Sequence, residues 1–203
     1  MFENLPTVKK IGIKISGGVD SALLSYMLAK HSMDNSLNLK LYPILILEYN
    51  SPDLPNIVTN IIKFIEKQTN FKFENILTYK QKTKDETKVS IMRTFEKQLI
   101  DNKTVEYIVS GTTHAPKTDD FISTDSKNGP NDRTGVFKEL WDGNIYTPIL
   151  NKDKREIAEL YKKHNLLDSL FPITKSCIVD KKEYNHCGSC WWCHERKWAF
   201  EKL

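Results

Sequence analysis

The chain has 203 residues, of which 39% are apolar and 28% charged, and its formal net charge is +4. This composition is ordinary for a globular protein, and the length is enough for one domain with its own hydrophobic core. No stretch approaches the ~18 consecutive apolar residues of a membrane span, and the first residues lack the basic and apolar regions of a secretory signal. The lysines are scattered, many of them between residues 63 and 103, which is typical of a solvated surface and not of a nucleic-acid footprint. We therefore expect a cytoplasmic enzyme that contacts no membrane.

Strand and helix patterns alternate from the first residues onward. A β-branched run at residues 11–15 is followed by a helical pattern at 22–29, and the apolar run at 42–47 is typical of a strand buried on both faces of a parallel sheet. Pro55 then begins a helical segment with apolar residues at helical spacing. The further elements are a weaker strand at 73–79, a charged helix at 85–100, strands at 105–110 and 145–150, and an amphipathic helix at 153–164.

This alternation predicts an α/β fold, with an open, mostly parallel sheet and helices on both of its faces. Residues 114–135 show no periodicity, and a polar loop of that length in a compact domain is more often functional than idle. Within this loop, Asp119 and Asp120 are candidates for contacts to a substrate or a metal, with solvated side chains as the alternative, and His114 is a candidate for a substrate contact. We place an α/β domain at residues 1–165 and a small cysteine-containing segment packed on it at 166–203.

The loop between the first strand and the first helix reads SGGVDS, from Ser16 to Ser21. Such loops gather at the carboxyl ends of parallel strands, where exposed N–H groups and the positive end of a helix bind anions. Gly17 and Gly18 let an oxygen-rich anion approach the backbone, and Asp20 beside bound phosphates indicates a metal ion. The loop lacks the Lys-Ser/Thr ending of GxxxxGK[ST] and the third glycine of GxGxxG. The residues therefore predict a phosphate site, with a simple tight turn as the other interpretation.

This loop resembles the SGGxDS pyrophosphate loop of the PP-loop ATP pyrophosphatases, a superfamily with an adenine nucleotide α hydrolase-like fold. Its members cleave ATP between the α and β phosphates and adenylylate a substrate. The resemblance implies that Asp20 and Ser21 take part in catalysis. It also implies that adenine lies near the end of the second strand, from Leu47 to residue 50, and that Gly111 contacts the nucleotide. The loop residues implied to hold ATP and Mg²⁺ are Ser16, Gly17, Gly18, Val19, Asp20 and Ser21.

All four cysteines lie near the C-terminal end, with the spacing C-x9-C-x2-C-x2-C. Two closely spaced CxxC pairs are typical of a tetrahedral Zn²⁺ site with four thiolate ligands. Disulfides are less favoured because a cytosolic chain is kept reduced, and a redox CxxC would not need the other two cysteines. A four-cysteine iron–sulfur site stays open, and the neighbouring His186 and His194 are either bystanders or a substitute for one thiolate. The predicted metal ligands are Cys177, Cys187, Cys190 and Cys193.

The residues around the cysteines resemble the zinc-binding tail of the 7-cyano-7-deazaguanine synthase family, a PP-loop branch of the queuosine and deazaguanine pathway. The matching features are CGxCxxCxxR with an aromatic residue close behind, the upstream Ser-Cys pair, and the TPIL and KREI segments. The resemblance implies that Lys154 approaches the ATP phosphates and is catalytic, whereas the residue type alone is equally consistent with a solvated lysine. For Arg196 we weigh binding of a substrate carboxylate or phosphate against a surface salt bridge. For Trp191 and Trp192 we weigh a cover over the zinc site against stacking on a base.

The resemblance implies an ATP-dependent ligase that adenylylates a carboxylate and amidates it with ammonia. The implied substrate is a deazapurine carboxylic acid, 7-carboxy-7-deazaguanine or a close relative. Residues 111–120 lack the family's substrate elements, so ATP use carries over better than the identity of the acid. Two alternatives stay open: a PP-loop tRNA-modifying enzyme of the thiolation type, and a nucleotide-binding or nucleic-acid-binding zinc protein without turnover. The expected partners are the small acid and ammonia and no nucleic acid, and a homodimer is compatible with the sequence.

Overall fold

The computed structural model describes residues 2, 5, 9–47, 51–81, 87–116, 121, 141–177 and 186–203, with the backbone alone at 88–89 and 141–142. The strands are β1 (Lys10–Lys14), β2 (Lys40–Leu47), β3 (Leu77–Lys80), β4 (Tyr107–Val109), β5 (Trp141–Asp142) and β6 (Ile145–Tyr146). The helices are α1 (Val19–Asp34), α2 (Leu54–Thr69), α3 (Lys88–Asp101), α4 (Lys154–Lys163) and α5 (Trp191–Phe200).

The described strands form one sheet in the order β3-β2-β1-β4-β6-β5. β1 pairs in parallel with β2 and β4, β2 pairs in parallel with β3, and β4 pairs in parallel with β6. β5 is antiparallel to β6 and turns into it through Gly143, whose φ is +57°. The predicted mostly parallel sheet is confirmed, and the short β5 is an addition that its sequence did not indicate.

Apolar residues on the two faces of the sheet form separate cores. Ile11 and Ile13 of β1 pack with α1, α2 and α4 on one face. Ile44 of β2 and Ile108 of β4 pack with Leu99 of α3 on the other face. Successive strand residues point to opposite faces, so a strand that is apolar at every position needs helices on both sides. The structure confirms that arrangement.

Three strands, β3, β4 and β6, are shorter than their sequence patterns predicted, and hydrogen bonds beside β3 and β6 account for two of these differences. β3 begins only at Leu77, because the N–H of Phe73 donates to the Glu66 carboxylate of α2 at 3.1 Å and is not available to a strand ladder. β6 ends at Tyr146, because the chain then turns and the N–H of Leu150 donates to the carbonyl of Thr147 at 3.2 Å. Local side-chain and turn hydrogen bonds therefore replace sheet pairing at both places.

The C-terminal helix packs on the α/β layer. α5 lies against α4, and its Phe200 contacts Tyr161 of α4 with ring centres 5.4 Å apart. The Tyr161 hydroxyl in turn donates to the carbonyl of Val19, at the start of α1, at 2.9 Å. Contacts therefore connect α5 through α4 to the start of α1. The division into a domain at residues 1–165 and a segment at 166–203 stays a prediction. In the part of the chain that is described, no helix is both long and apolar enough to cross a bilayer.

Candidate functional site

A cavity of about 270 Å³ lies at the carboxyl ends of β1, β2 and β4. This is the edge at which open parallel sheets bind their ligands. One wall is polar and comes from the SGGVDS loop and from Ser110 and Thr112 after β4. Another part of the lining is apolar and includes Leu45 and Ile46 of β2 and Met92 of α3. A ligand with a charged end and a flat apolar end matches this division of the walls.

The glycine turn is held in shape by its own backbone geometry. Gly17 has φ +79°, in the left-handed region that favours glycine, and a Cβ there would lie 3.0 Å from Leu54. Gly18 caps α1 without a side chain, so no cap group occupies the end of the helix. The N–H of Ser16 donates to the Ser21 hydroxyl at 3.1 Å, which closes the turn on itself. The first turn of α1 is left facing the cavity, where its N–H groups attract an anion.

Asp20 and Lys154 form a charged contact at the edge of this turn. Lys154 begins α4 directly after Asp153, which caps the helix through a capping box with Glu156. Its ammonium group contacts the Asp20 Oδ2 atom and lies 3.5 Å from the Oε2 atom of Glu195. Lys154 is only 5% exposed, so the interpretation of this residue as a solvated lysine is wrong.

The second carboxylate oxygen of Asp20 has no hydrogen-bond donor among the described residues. Its Oδ1 atom is buried and accepts no hydrogen bond from the described residues. A buried acceptor without a partner is costly, and a bound cation or a donor group on a ligand removes that cost. Carboxylate oxygen is also the ligand atom that Mg²⁺ prefers. The site therefore fits the metal role that the resemblance implied for Asp20.

Two further ion pairs border the site, and the sequence reasoning missed both. Lys14, at the end of β1, lines the cavity and contacts the buried Glu96 of α3 at 2.9 Å. Lys175 donates to Asp53 at 2.8 Å, and this hydrogen bond lowers the pKa of the Asp53 carboxyl. The partners are about 80 and 120 residues apart along the chain, so no local motif could have revealed them.

The predicted nucleotide-binding residues divide into those that line the cavity and those that do not. The cavity is lined by Ser16, Gly18, Asp20, Ser21 and Gly111.

Three of the predicted nucleotide-binding residues do not line the cavity. Gly17 faces α2, Val19 is 1% exposed in the core, and Leu47 packs at the edge of that core. Residues 48–50, Asp119 and Asp120 lie outside the described residues, as does most of the loop at 114–135. The N–H of His114 donates to the carbonyl of Lys152 at 2.7 Å, which places the start of that loop beside α4.

Gly111 is required by the close approach of two backbone segments. A Cβ at this position would lie 3.1 Å from the N and Cα atoms of Ser21. We expect Gly111→Ala to lower the free energy of unfolding by about 1–3 kcal/mol, because backbone atoms cannot yield as a side chain can. Urea denaturation measures this change. The matched control is Gly18→Ala, where the nearest atom is 3.6 Å away and the expected loss is below about 1 kcal/mol; equal losses in the two variants would contradict the assignment.

The four cysteines converge into a candidate metal centre. Their Sγ atoms all lie within 4.8 Å of one another, and none of the thiols forms a disulfide. The Sγ atoms of Cys187 and Cys193 are 3.8 Å apart, and those of Cys190 and Cys177 are 3.9 Å apart. Four Zn–S bonds of ~2.3 Å at tetrahedral angles hold the sulfur atoms about 3.8 Å apart. The donor set and its spacing thus fit a single tetrahedral ion.

Backbone N–H groups favour the thiolate form of Cys187. Burial acts to raise its pKa, but donors from Ser189 at 3.4 Å and Cys190 at 3.3 Å outweigh burial and bring the pKa to about 6. Burial raises the pKa of the Cys193 thiol. His186 is half-buried 3.9 Å from the Cys193 Sγ atom, and burial lowers its pKa to about 4. The imidazole beside the cluster is consequently neutral at pH 7.

Arg196 has a structural position that neither sequence interpretation anticipated. The residue is 1% exposed, so it forms no surface salt bridge. Its guanidinium donates to the Thr174 hydroxyl at 2.9 Å and to the Phe171 carbonyl at 3.0 Å, and it lies 3.8 Å from the centre of the Phe171 ring. Burial lowers its pKa to about 10. Arg196 therefore fastens α5 to the segment that leads to Cys177.

The aromatic residues of α5 divide between the cysteine cluster and a neighbouring ring cluster. Trp192 packs against the cysteines, as a cover over the site requires. Trp191 is 8% exposed and makes an edge contact with Phe121, with ring centres 5.2 Å apart. Phe121 also contacts Trp198, with ring centres 5.5 Å apart. Trp191 is thereby largely engaged within the protein.

Comparison with known proteins gives matches of partial length. Residues 133–203, about a third of the chain, match the family model described as "Queuosine biosynthesis protein QueC". A 7-cyano-7-deazaguanine synthase of Methanococcus vannielii is 33% identical over 94 residues, which cover 45% of this chain and 38% of that relative. Among solved structures, the U34-tRNA thiolase NcsA from Methanococcus maripaludis, with its [4Fe-4S] cluster, aligns with a TM-score of 0.47 and 13% identity over 78% of this chain and 57% of that one.

The family model and the synthase relative confirm the resemblance to QueC-like PP-loop proteins. The matched residues 133–203 include Lys154 and all four cysteines. The aligned part covers only 38% of the relative, so this match does not establish the synthase activity for this chain.

Proposed function

We propose that the protein is an ATP-dependent ligase that adenylylates a carboxylate and amidates it with ammonia. The observation that carries the proposal is the contact of Lys154 with Asp20 beside a glycine turn whose helix end faces the cavity. Lys154 and Asp20 are 134 residues apart along the chain, and Lys154 is buried where the two meet. A glycine turn with no ligand to bind would not need a buried lysine beside it. The resemblance to QueC-like PP-loop proteins supports the same chemistry.

The residues that line the cavity support a proposed position for each part of ATP. The N–H groups at the start of α1 and the hydroxyls of Ser16 and Ser21 donate to phosphate oxygens. Asp20 would hold Mg²⁺, with the carboxylate oxygen that accepts no hydrogen bond from the described residues as its ligand atom, and the ion would neutralise phosphate charge. The adenine ring lies against the apolar wall at Leu45 and Ile46. Preorganised charges of this kind lower the barrier to phosphoryl chemistry without covalent participation by the protein.

The proposed reaction proceeds by two displacements. A carboxylate oxygen of the substrate attacks the α phosphorus, the bond from that phosphorus to the bridging oxygen of the β phosphate breaks, and pyrophosphate leaves. Ammonia then attacks the acyl carbon, loses a proton, and expels AMP to leave an amide. Lys154 and the helix end stabilise the charge that builds up on the leaving pyrophosphate. The proposed acid is 7-carboxy-7-deazaguanine or a close relative, and the amide of that acid is the precursor of the nitrile.

We propose Zn²⁺ as the ion of the cysteine centre. The Sγ separations of 3.8 and 3.9 Å support one ion with four thiolates. A [4Fe–4S] cluster places each thiolate on a different iron atom and holds the Sγ atoms farther apart. The ion has a structural role in this proposal, because four protein ligands leave no open position for a substrate.

Product analysis tests the proposal directly. We expect the protein, incubated with ATP, Mg²⁺, ammonium and 7-carboxy-7-deazaguanine, to release pyrophosphate and AMP and to form the amide or nitrile, detected by mass spectrometry. Without ammonium, hydroxylamine should trap the acyl adenylate as a hydroxamate. Pyrophosphate release with a different deazapurine acid alone would support the ligase and correct the substrate. No pyrophosphate with any acid, despite nucleotide binding, would indicate a binding protein instead.

A further inference from the structure

Helix α5 contributes residues to the cysteine centre and a buried carboxylate that contacts Lys154. It begins directly after Cys190 and carries Cys193 in its first turn. Two residues later, Glu195 is 0% exposed, and its Oε2 atom lies 3.5 Å from the Nζ atom of Lys154. Less than one helical turn therefore separates a metal ligand of the proposed centre from a carboxylate that contacts the lysine of the proposed ATP site.

Lys154 lies between two carboxylates that differ in their access to the cavity. The Asp20 side chain is 22% exposed and lines the cavity, whereas the Glu195 side chain is 1% exposed and is not part of the cavity wall. The Lys154 side chain between them is 7% exposed. Glu195 thus lies behind the ammonium group, and Asp20 lies on its ligand side.

A stabilising role alone does not account for Glu195. Burying a carboxylate costs several kcal/mol, and an apolar residue of similar volume often stabilises a core as well as or better than a buried ion pair does. A role in holding a charged group in one defined position explains a buried ion pair better than stability does. The group held here is Lys154, and the place is the contact with Asp20 at the glycine turn.

We propose that Glu195 is a positioning residue that holds the Lys154 ammonium at the cavity edge while Asp20 engages the cation. In the structure Lys154 contacts both carboxylates. When Mg²⁺ and the phosphates occupy Asp20, Glu195 remains as the partner of Lys154 and keeps the ammonium directed at the phosphate oxygens. The inference rests on the proposed function, because it assigns Glu195 through the role of Lys154 toward ATP.

A double-mutant cycle tests this role on nucleotide binding, without needing the acid substrate. The metal-loaded wild type, Lys154→Met, Glu195→Gln and the double variant are titrated with Mg²⁺ and α,β-methylene-ATP by calorimetry. We expect Lys154→Met to weaken binding about tenfold or more, since a charge-assisted hydrogen bond is lost. We expect Glu195→Gln to weaken it about fivefold, and the double variant to match Lys154→Met, because Glu195 acts through the lysine. Glu159→Gln, which breaks the exposed pair with Lys162, is the charge-matched control and should leave binding unchanged.

The cycle distinguishes the two proposals. A Glu195→Gln loss that disappears in the Lys154→Met background supports positioning. If Glu195→Gln weakens nucleotide binding by the same factor with Lys154 and with Met at position 154, or does not weaken it in either case, the positioning role is wrong and Glu195 has a general structural role. Thermal melts identify any variant that fails to fold. A wild-type protein that binds no nucleotide would instead overturn the proposed function.

Discussion

Asp20→Ala is expected to reduce pyrophosphate release at least about 10³-fold, because the variant loses the proposed Mg²⁺ ligand and the cavity-side partner of Lys154 together. The Asp20 carboxylate contacts Lys154 through one oxygen and has its other oxygen free of hydrogen bonds from the described residues. Without it, the Lys154 ammonium is left with Glu195, on the side away from the cavity. The measurement is the rate of pyrophosphate formation with saturating ATP, Mg²⁺, ammonium and acid.

The fold should survive this change. The Asp20 side chain is 22% exposed at the first turn of α1, so its truncation leaves no large internal cavity. We expect Asp20→Asn, which keeps the shape, to lose activity nearly as fully. Asp34→Ala removes an exposed carboxylate from the other end of the same helix and should retain full activity. Retained pyrophosphate release in Asp20→Ala would refute the metal role assigned to this residue.

The sheet was predictable because its strands carry strong local patterns. β1 and β2 are apolar at almost every buried position, and each is followed by a helical pattern, so the parallel order followed from alternation. Strand ends were less predictable, since they depend on single side-chain and turn hydrogen bonds that the apolar pattern does not show. The start of β3 depends on Glu66, which is bonded to the N–H of Phe73, and nothing in the pattern around Leu77 encodes that contact.

Candidate site residues could be predicted from the sequence where they are close together along the chain, and could not where they are far apart. The SGGVDS loop and the CxxC pairs bring their groups together through local geometry, so their spacing alone indicates the chemistry. Glu195 and Lys175 act across the fold, on Lys154 and on the carbonyl of Gly17, at 3.5 and 2.8 Å. Such contacts require the positions of α4, α5 and the chain between them, which no sequence window contains. Arg196 shows the same limit, because its burial follows from the packing of α5.

Removal of the proposed Zn²⁺ is the second change for which we expect a large effect, because the proposed centre would hold the segment that contacts the glycine turn. The segment before Cys177 bonds to that turn through the N–H of Lys175, which donates to the carbonyl of Gly17 at 2.8 Å. A structural Zn²⁺ site contributes its binding energy to folding. Cys193 is 0% exposed. We therefore expect chelation, or Cys193→Ser, to lower the Tm by about 10 °C or more and to weaken α,β-methylene-ATP binding in parallel.

The control for this experiment lies in the same loop. Ser189→Ala keeps the N–H that donates to the Cys187 Sγ atom at 3.4 Å and removes an exposed hydroxyl that donates to the same atom at 3.6 Å, so it should melt close to the wild type. Elemental analysis should find one zinc per chain and a colourless protein, whereas iron with labile sulfide would contradict Zn²⁺ and reopen thiolation chemistry. A chelated protein with an unchanged Tm would contradict the anchoring role. A lower Tm with unchanged nucleotide affinity would mean that the cysteine centre stabilises the fold but does not affect the cavity. The hydrogen bond from Lys175 to Gly17 would then not couple the two sites.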